Sequence, residues 1–183
     1  MDIGCNALHP LCDIGDTAAL MEHGKSSLYL FICTPRADAL AIEGRNLFRL
    51  KGAENLTEID IALVKAFRST NASYVGGKRA CIEITSDVLL RHKAITTRKW
   101  LSGLLSDLKA KGFTTLAVID PQMHPKEEVQ AISSLFEGEF RVTERQSAKG
   151  PEKVLRVTKL YNQKYFNQEL TLNRDRLMDS ELS

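Results

Sequence analysis

An α/β fold, with a mostly parallel sheet covered by helices, is what the sequence predicts, and three observations carry it. From residue 27 onward, short apolar runs alternate with amphipathic helical patterns, the rhythm of strand-helix-strand units. The runs "SSLYLFICT" (26–34), "RACIEIT" (79–85) and "FTTLAVID" (113–120) are nearly continuous in apolar residues, as strands covered on both faces are. Pro35 and Pro121 then end the first and third runs, because proline cannot donate to a ladder.

Taken in order, residues 1–19 read as an irregular segment, and the first strand follows. In "NLTEIDIALVKAFRST" (55–70), Leu56, Ile59, Leu63, Ala66 and Phe67 recur at helical spacing, with Asn55 and Glu58 forming a capping box. Gly76-Gly77 is a turn into the second strand. "TTRKWLSGLLSDLKAKG" (96–112) sets Trp100, Leu101, Leu104, Leu105 and Leu108 on one stripe and stops at Gly112. After the third strand, "HPKEEVQAISSLFEG" (124–138) starts a helix near Pro125, with acids in its first turn and Val129, Ile132, Leu135 and Phe136 inward. The pattern then changes. "GEFRVTE" (138–144), "EKVLRVTKL" (152–160) and "NQELTL" (167–172) read as strands of a C-terminal antiparallel hairpin extension appended to the parallel sheet. Residues 173–183 read as a polar tail, leaving a single domain over 1–172.

Composition sets limits on function. A chain of 183 residues, 43% hydrophobic and 26% charged, has the size of one domain with a real core. Its net charge of +2 is too mild to argue for a nucleic-acid or membrane partner. No run approaches the roughly 18 apolar residues of a membrane span, and "MDIGCNALHPLC" lacks the features of a signal peptide, so a cytoplasmic protein is expected. Cys5, Cys12, Cys33 and Cys81 are irregularly spaced and read as reduced thiols, two of them inside apolar runs. Cys5, His9 and Cys12 lie close together but offer only three metal ligands around a proline, so an irregular segment is preferred to a zinc site.

One short motif invites a nucleotide reading. Gly24, Lys25 and Ser26 match the end of the G-x-x-x-x-G-K-[S/T] loop, whose backbone N–H groups, lysine and hydroxyl converge on phosphates and Mg²⁺. The required first glycine is Ala19, and the motif follows a helical pattern and enters a strand, the reverse of a phosphate loop. Gly24 therefore reads as a helix cap. His9, His23, His92 and His124 share no ligand spacing and read as surface or capping residues. Arg91, His92, Lys93, Arg98 and Lys99 lie between the second strand and its helix, near the carboxyl edge where open α/β sheets bind ligands, and form a candidate anion or partner surface. "NQKYFNQ" (162–168) interleaves lysine with aromatics but lacks a broader basic stripe.

Five segments, in order, carry a family resemblance: "LMEHGKSSLYLFICTPRAD", "RACIEITSDVLL", "LKAKGFTTLAVID", "LFEGEFRV" and "VLRVTKLYNQKYFNQELTL". Together they resemble the RecA-type ATPase core in its KaiC-like branch, a P-loop NTPase fold abundant in archaea, over roughly residues 20 to 172. The resemblance implies a three-layer, mostly parallel twisted sheet with helices on both faces and ATP held between neighbouring subunits, and its parts transfer one residue at a time. The phosphate loop is missing. Where the family ends its first strand here in a catalytic carboxylate, this chain has Thr34-Pro35-Arg36, with Asp38 displaced. Glu83 falls at the Walker B position for Mg²⁺ with Asp87 four residues on, although hydrogen bonding to helix termini and capping of the "VLLRH" turn are the preferred structural roles. Lys159 matches the lysine of the Lys-x-Arg finger, but Tyr161 replaces the arginine, and a phenol cannot stabilise phosphate charge as guanidinium does.

The expectation is a degenerate KaiC-like domain, not an enzyme, that serves as a regulatory or protein-interaction module in signal transduction. It would need no cofactor and would partner a second copy of itself or an active KaiC-like relative, with neither membrane nor nucleic acid. The alternative is an ATPase with a nonstandard or borrowed phosphate loop, for which ATP and Mg²⁺ would be cofactors.

Overall fold

The structure is a computed structural model that describes residues 2–6 (backbone only), 28–39, 46–69, 76–147, 150–165 and 168–172. The chain divides into two units, the first ending at Ile132 and the second starting at Ser133. In the first, β1 (Asp2–Asn6), β2 (Leu28–Cys33), β3 (Leu47–Leu50), β4 (Lys78–Ile82) and β5 (Phe113–Ala117) form one sheet in the order β3-β2-β1-β4-β5. Each pairing is parallel, and Cys5 of β1 stands between Phe31 of β2 and Ile82 of β4. The chain thus starts at the centre, steps outward through β2 to β3, crosses to β4 and ends at β5.

Local sequence explains the helices. In α1 (Leu56–Ser69), Ile59, Ala62, Leu63 and Ala66 are buried, the i, i+3, i+4, i+7 stripe of an amphipathic helix. Its start is fixed as expected: the Asn55 side chain accepts a hydrogen bond from the Glu58 N–H at 3.1 Å. Helix α2 (Thr85–Ala110) is broken at Lys93, where φ 59° and ψ 168° leave helical space. Across the break the buried Thr97 hydroxyl donates to the Val88 carbonyl at 3.3 Å, so the kink does not strand that buried acceptor. Beyond it, Trp100, Leu101, Leu104 and Leu108 are buried, and Gly112 ends the turn with φ 79°. A short third helix, α3 (Lys126–Ser133), has Glu127 and Glu128 in its first turn.

The two long helices share one face of the sheet. The Trp100 indole N–H donates to Asp60 at 2.9 Å, and the Phe67 ring of α1 meets Phe113 of β5 with centroids 5.8 Å apart. Ala80, Ile82 and Phe113 are buried. Their neighbours alternate outward: Leu116 is 52% exposed and Val118 47%. Strand β2 differs, since all residues from Tyr29 to Cys33 are buried and hence both its faces are covered. Phe31 stacks on Phe48 of β3 at 4.8 Å.

The second unit holds β6 (Gly138–Ser147), β7 (Gly150–Leu160) and β8 (Glu169–Leu172), an antiparallel sheet in that order. An extra β7 residue makes a bulge where Glu139 faces Lys159 but Phe140 faces Val157. Among the described residues of this unit only Val154 is buried.

Several expectations are corrected. Asp2–Asn6, within the stretch expected to be irregular, is the central strand, and the short β3 adds a strand that the sequence pattern did not mark. The expected single domain divides at Ile132. The C-terminal strands form a sheet of their own instead of extending the parallel one. The turn expected at "VLLRH" is the first part of α2. Residues 173–183 and the Gly24–Ser26 motif lie outside the described residues, as do His9, His23, Cys12 and the Cys5 side chain.

Leu101 is 0% exposed in the core under α2, so Leu101→Ala should cost about 2–5 kcal/mol by denaturant unfolding. Leu116→Ala, on the open side of β5, should stay within about 0.5 kcal/mol.

Candidate functional site

The chain order of the sheet reverses between β1 and β4, and in open α/β sheets the crevice beyond the carboxyl ends at such a reversal is where ligands bind. Glu83 stands there, directly after β4. The Val118 N–H donates to the Ile82 carbonyl at 2.9 Å and carries the β4–β5 ladder to this edge. Thr85, Ser86 and Asp87 then open α2, with Asp87 the acid of its first turn. The Asp120 N–H donates to the Ser86 hydroxyl at 2.9 Å, and the Asp120 carboxylate accepts from the Gln122 N–H at 2.9 Å. The end of β5 is thereby tied to the start of α2.

Glu83 alternates with the buried Ile82 and lies on the side of β4 that carries Cys81, both half-buried. Burial raises the Glu83 carboxyl above its ordinary value. The Cys81 thiol is raised first by burial and then by the Glu83 charge, which makes it a poor source of thiolate. Among the described residues no group of three or more His, Cys, Asp or Glu side chains is placed to hold a metal ion.

The expected basic surface is largely occupied. Arg91 pairs with Glu54 at 2.7 Å, and His92 Nε2 lies 2.8 Å from the Ala53 carbonyl, fastening the first part of α2 to the connection after β3. Arg98 donates to the Ala131 carbonyl at the end of α3. Lys93 occupies the break itself, and both Lys93 and Lys99 are exposed. Asp38 is exposed in a short 3-10 turn after β2. His124, expected as a surface or capping residue, caps the end of the 3-10 turn Pro121–Met123 and is buried at 9% exposure, and its Nε2 has no hydrogen-bond partner among the described residues.

Lys159, in the second unit, is positioned by β7. Its ammonium donates to the carbonyls of Phe136 at 2.7 Å and Ser133 at 3.5 Å, and lies 4.8 Å from the Tyr161 ring centroid. These carbonyls end α3 and the turn after it, so Lys159 caps a helix C-terminus. The Tyr161 N–H donates to the Glu137 carbonyl at 2.9 Å and closes the same turn. The structure thus gathers Glu83 and Asp87 at one edge, joined by Ser86 and Asp120. Asp120 carries a readable mark, a carboxylate between an apolar run and Pro121, whereas Ser86 carries none.

No family model matches the chain. No curated protein matches it either. Among solved structures it is similar to a KaiC-like protein of the hyperthermophilic archaeon Pyrococcus horikoshii, with a TM-score of 0.56 over 94% of this chain and 72% of that one. At 11% identity the likeness is one of fold, and the chain has a KaiC-like, RecA-type fold.

The raised Glu83 carboxyl has a signed consequence. The folded state holds that proton more tightly than the unfolded one, so this contribution to stability is greatest below the unfolded value near 4.5 and falls as pH rises through the folded value. Glu83→Gln should therefore raise Tm at pH 7 and flatten the decline in Tm above about pH 4.5. An unchanged pH profile would contradict it.

Proposed function

We propose that this chain is a three-layer KaiC-like domain that does not hydrolyse nucleotides and acts in the cytoplasm as a regulatory or protein-interaction module in signal transduction. The observation that carries the reading is the position of Lys159. A phosphate finger needs a free cation, and the Lys159 ammonium instead donates to Phe136 and Ser133 at the end of α3. The carboxyl edge supports the same reading, because Glu83, Asp87 and Asp120 give it an acidic character, while Arg91 is paired with Glu54. The sequence adds Ala19 in place of the loop glycine, Thr34-Pro35-Arg36 in place of a base, and Tyr161 in place of an arginine. Each tenfold in rate is worth about 1.4 kcal/mol, and positioned donors, base and charge finger supply many such factors. The burial of both faces of β2 supports the three-layer arrangement. The partner is a second copy or an active KaiC-like relative.

One observation favours a second reading, an ATPase with a nonstandard or borrowed loop: Glu83 sits at the end of β4, beside the point where the sheet order reverses. Under it, Glu83→Gln and Lys159→Ala would both change a measurable hydrolysis rate.

Titration of a fluorescent ATP analogue with Mg²⁺ separates the two readings. Our proposal expects no binding tighter than about millimolar, and micromolar binding would overturn it. Lys159→Ala should lower stability by about 0.5–1.5 kcal/mol through loss of the cap, and leave nucleotide affinity unchanged.

A further inference from the structure

We infer that β6 is a self-association edge, at which two copies of this chain pair their β6 strands antiparallel about a two-fold axis through Val142. The inference rests on the interaction-module reading and names its partner. β6 is ten residues long and forms the edge of its sheet, with no strand on its outer side among the described residues. Phe140 to Gln146 are all exposed. Natural edge strands are blunted by proline, by charged side chains, lysine above all, or by bulges, since a bare row of N–H and C=O groups templates pairing. "GEFRVTERQS" contains neither proline nor lysine, and the bulge of this sheet lies in β7, so β6 itself runs unbroken.

The charges on β6 select both partner and register. Glu139 and Arg145 lie on one face: Glu139 meets Arg141, two residues on, at 3.4 Å, and Arg145 meets Glu152, directly opposite on β7, at 3.4 Å and Glu169 of β8 at 3.1 Å. Phe140 and Val142, 50% and 54% exposed, lie on the other. A two-fold at Val142 sets Glu139 opposite Arg145 of the second copy, twice by symmetry, and sets Val142 against its own equivalent. Centring the axis on Arg141, Thr143 or Glu144 opposes like charges: Arg141 to itself, Arg141 to Arg145, or Glu144 to itself. Directly opposite charges contribute by sign in an antiparallel pair; an axis on Phe140 also opposes Glu139 to Arg141 but pairs only residues 138–142 of β6, whereas the Val142 axis pairs residues 138–146 and is the longer self-complementary register. The pairing is isologous and closes at two copies.

Light scattering on the eluted full-length chain should give twice the 20.4 kDa chain mass. Glu139→Arg and Arg145→Glu should each weaken the dimer by about tenfold, and the double reversal should restore it. Val142→Cys supplies a readout independent of the charge variants: on oxidation it should form a disulfide-linked dimer on a non-reducing gel, at a yield well above Glu144→Cys and the wild-type chain. A monomeric wild type, a dimer indifferent to the single reversals, or equal cross-linking at 142 and 144 would overturn the inference. Micromolar nucleotide binding would instead remove the interaction-module reading and leave the strand pairing to be judged on mass and cross-linking.

Discussion

Two backbone ladders run along β1, one to β2 and one to β4, and no other described strand joins the β2–β3 half of the parallel sheet to the β4–β5 half. The positions of the other elements follow from that pairing. Because β2 and β4 flank β1 on opposite sides, the chain must wind outward in both directions, which sets the reversal of strand order beside Glu83. Because β3 and β4 stand apart, their connection has to cross the sheet. Helix α1 makes that crossing and, through Asp60 and Trp100, settles against α2. Each ladder bond contributes about 1 kcal/mol net, and the helices add the burial of Ile59, Leu101 and Leu108.

The site owes its character to where charges are already engaged. Phosphate chemistry requires cations held free at the edge of a sheet, and here three of the candidate cations are engaged within the fold: Arg91 on Glu54, Arg98 on the carbonyl of Ala131, Lys159 on the carbonyls of Ser133 and Phe136, while Lys93 and Lys99 are exposed. Glu83 moves the other way, half-buried with its proton held above the ordinary range. Among the described residues this edge carries Glu83, Asp87 and Asp120. The charged strand β6, with acids and arginines in self-complementary order, is the contact we propose for a second copy.

The sequence was legible where burial imposed a pattern. The apolar runs of β2, β4 and β5, the stripes of α1 and the later part of α2, and the Asn55 cap all follow from local periodicity and capping chemistry. β1 was not, since "DIGCN" is short and contains glycine, and pairing on both sides, not residue preference, makes it a strand. "LFRL" of β3 was too brief to distinguish from a loop. The break at Lys93 has no glycine or proline to announce it. Lys159 was read by its place in a motif, yet its carbonyl partners lie 23 and 26 residues earlier, which local reading cannot reach. Glu83 was expected inside a run drawn to residue 85 and directly follows β4, which ends at Ile82, and its raised carboxyl depends on burial that three dimensions supply.

Hydrogen exchange on the intact chain, with and without saturating Mg²⁺ and ATP, tests the central claim that β1 organises a sheet whose carboxyl edge does not serve a nucleotide. Amides of Gly4 and Cys5, flanked by ladders on both sides, should exchange as slowly as those of Phe31 and Ile32, and neither they nor Glu83 to Asp87 should change with ATP. Loop-like exchange along β1, or slowing at Glu83 to Asp87 when ATP is added, would contradict it.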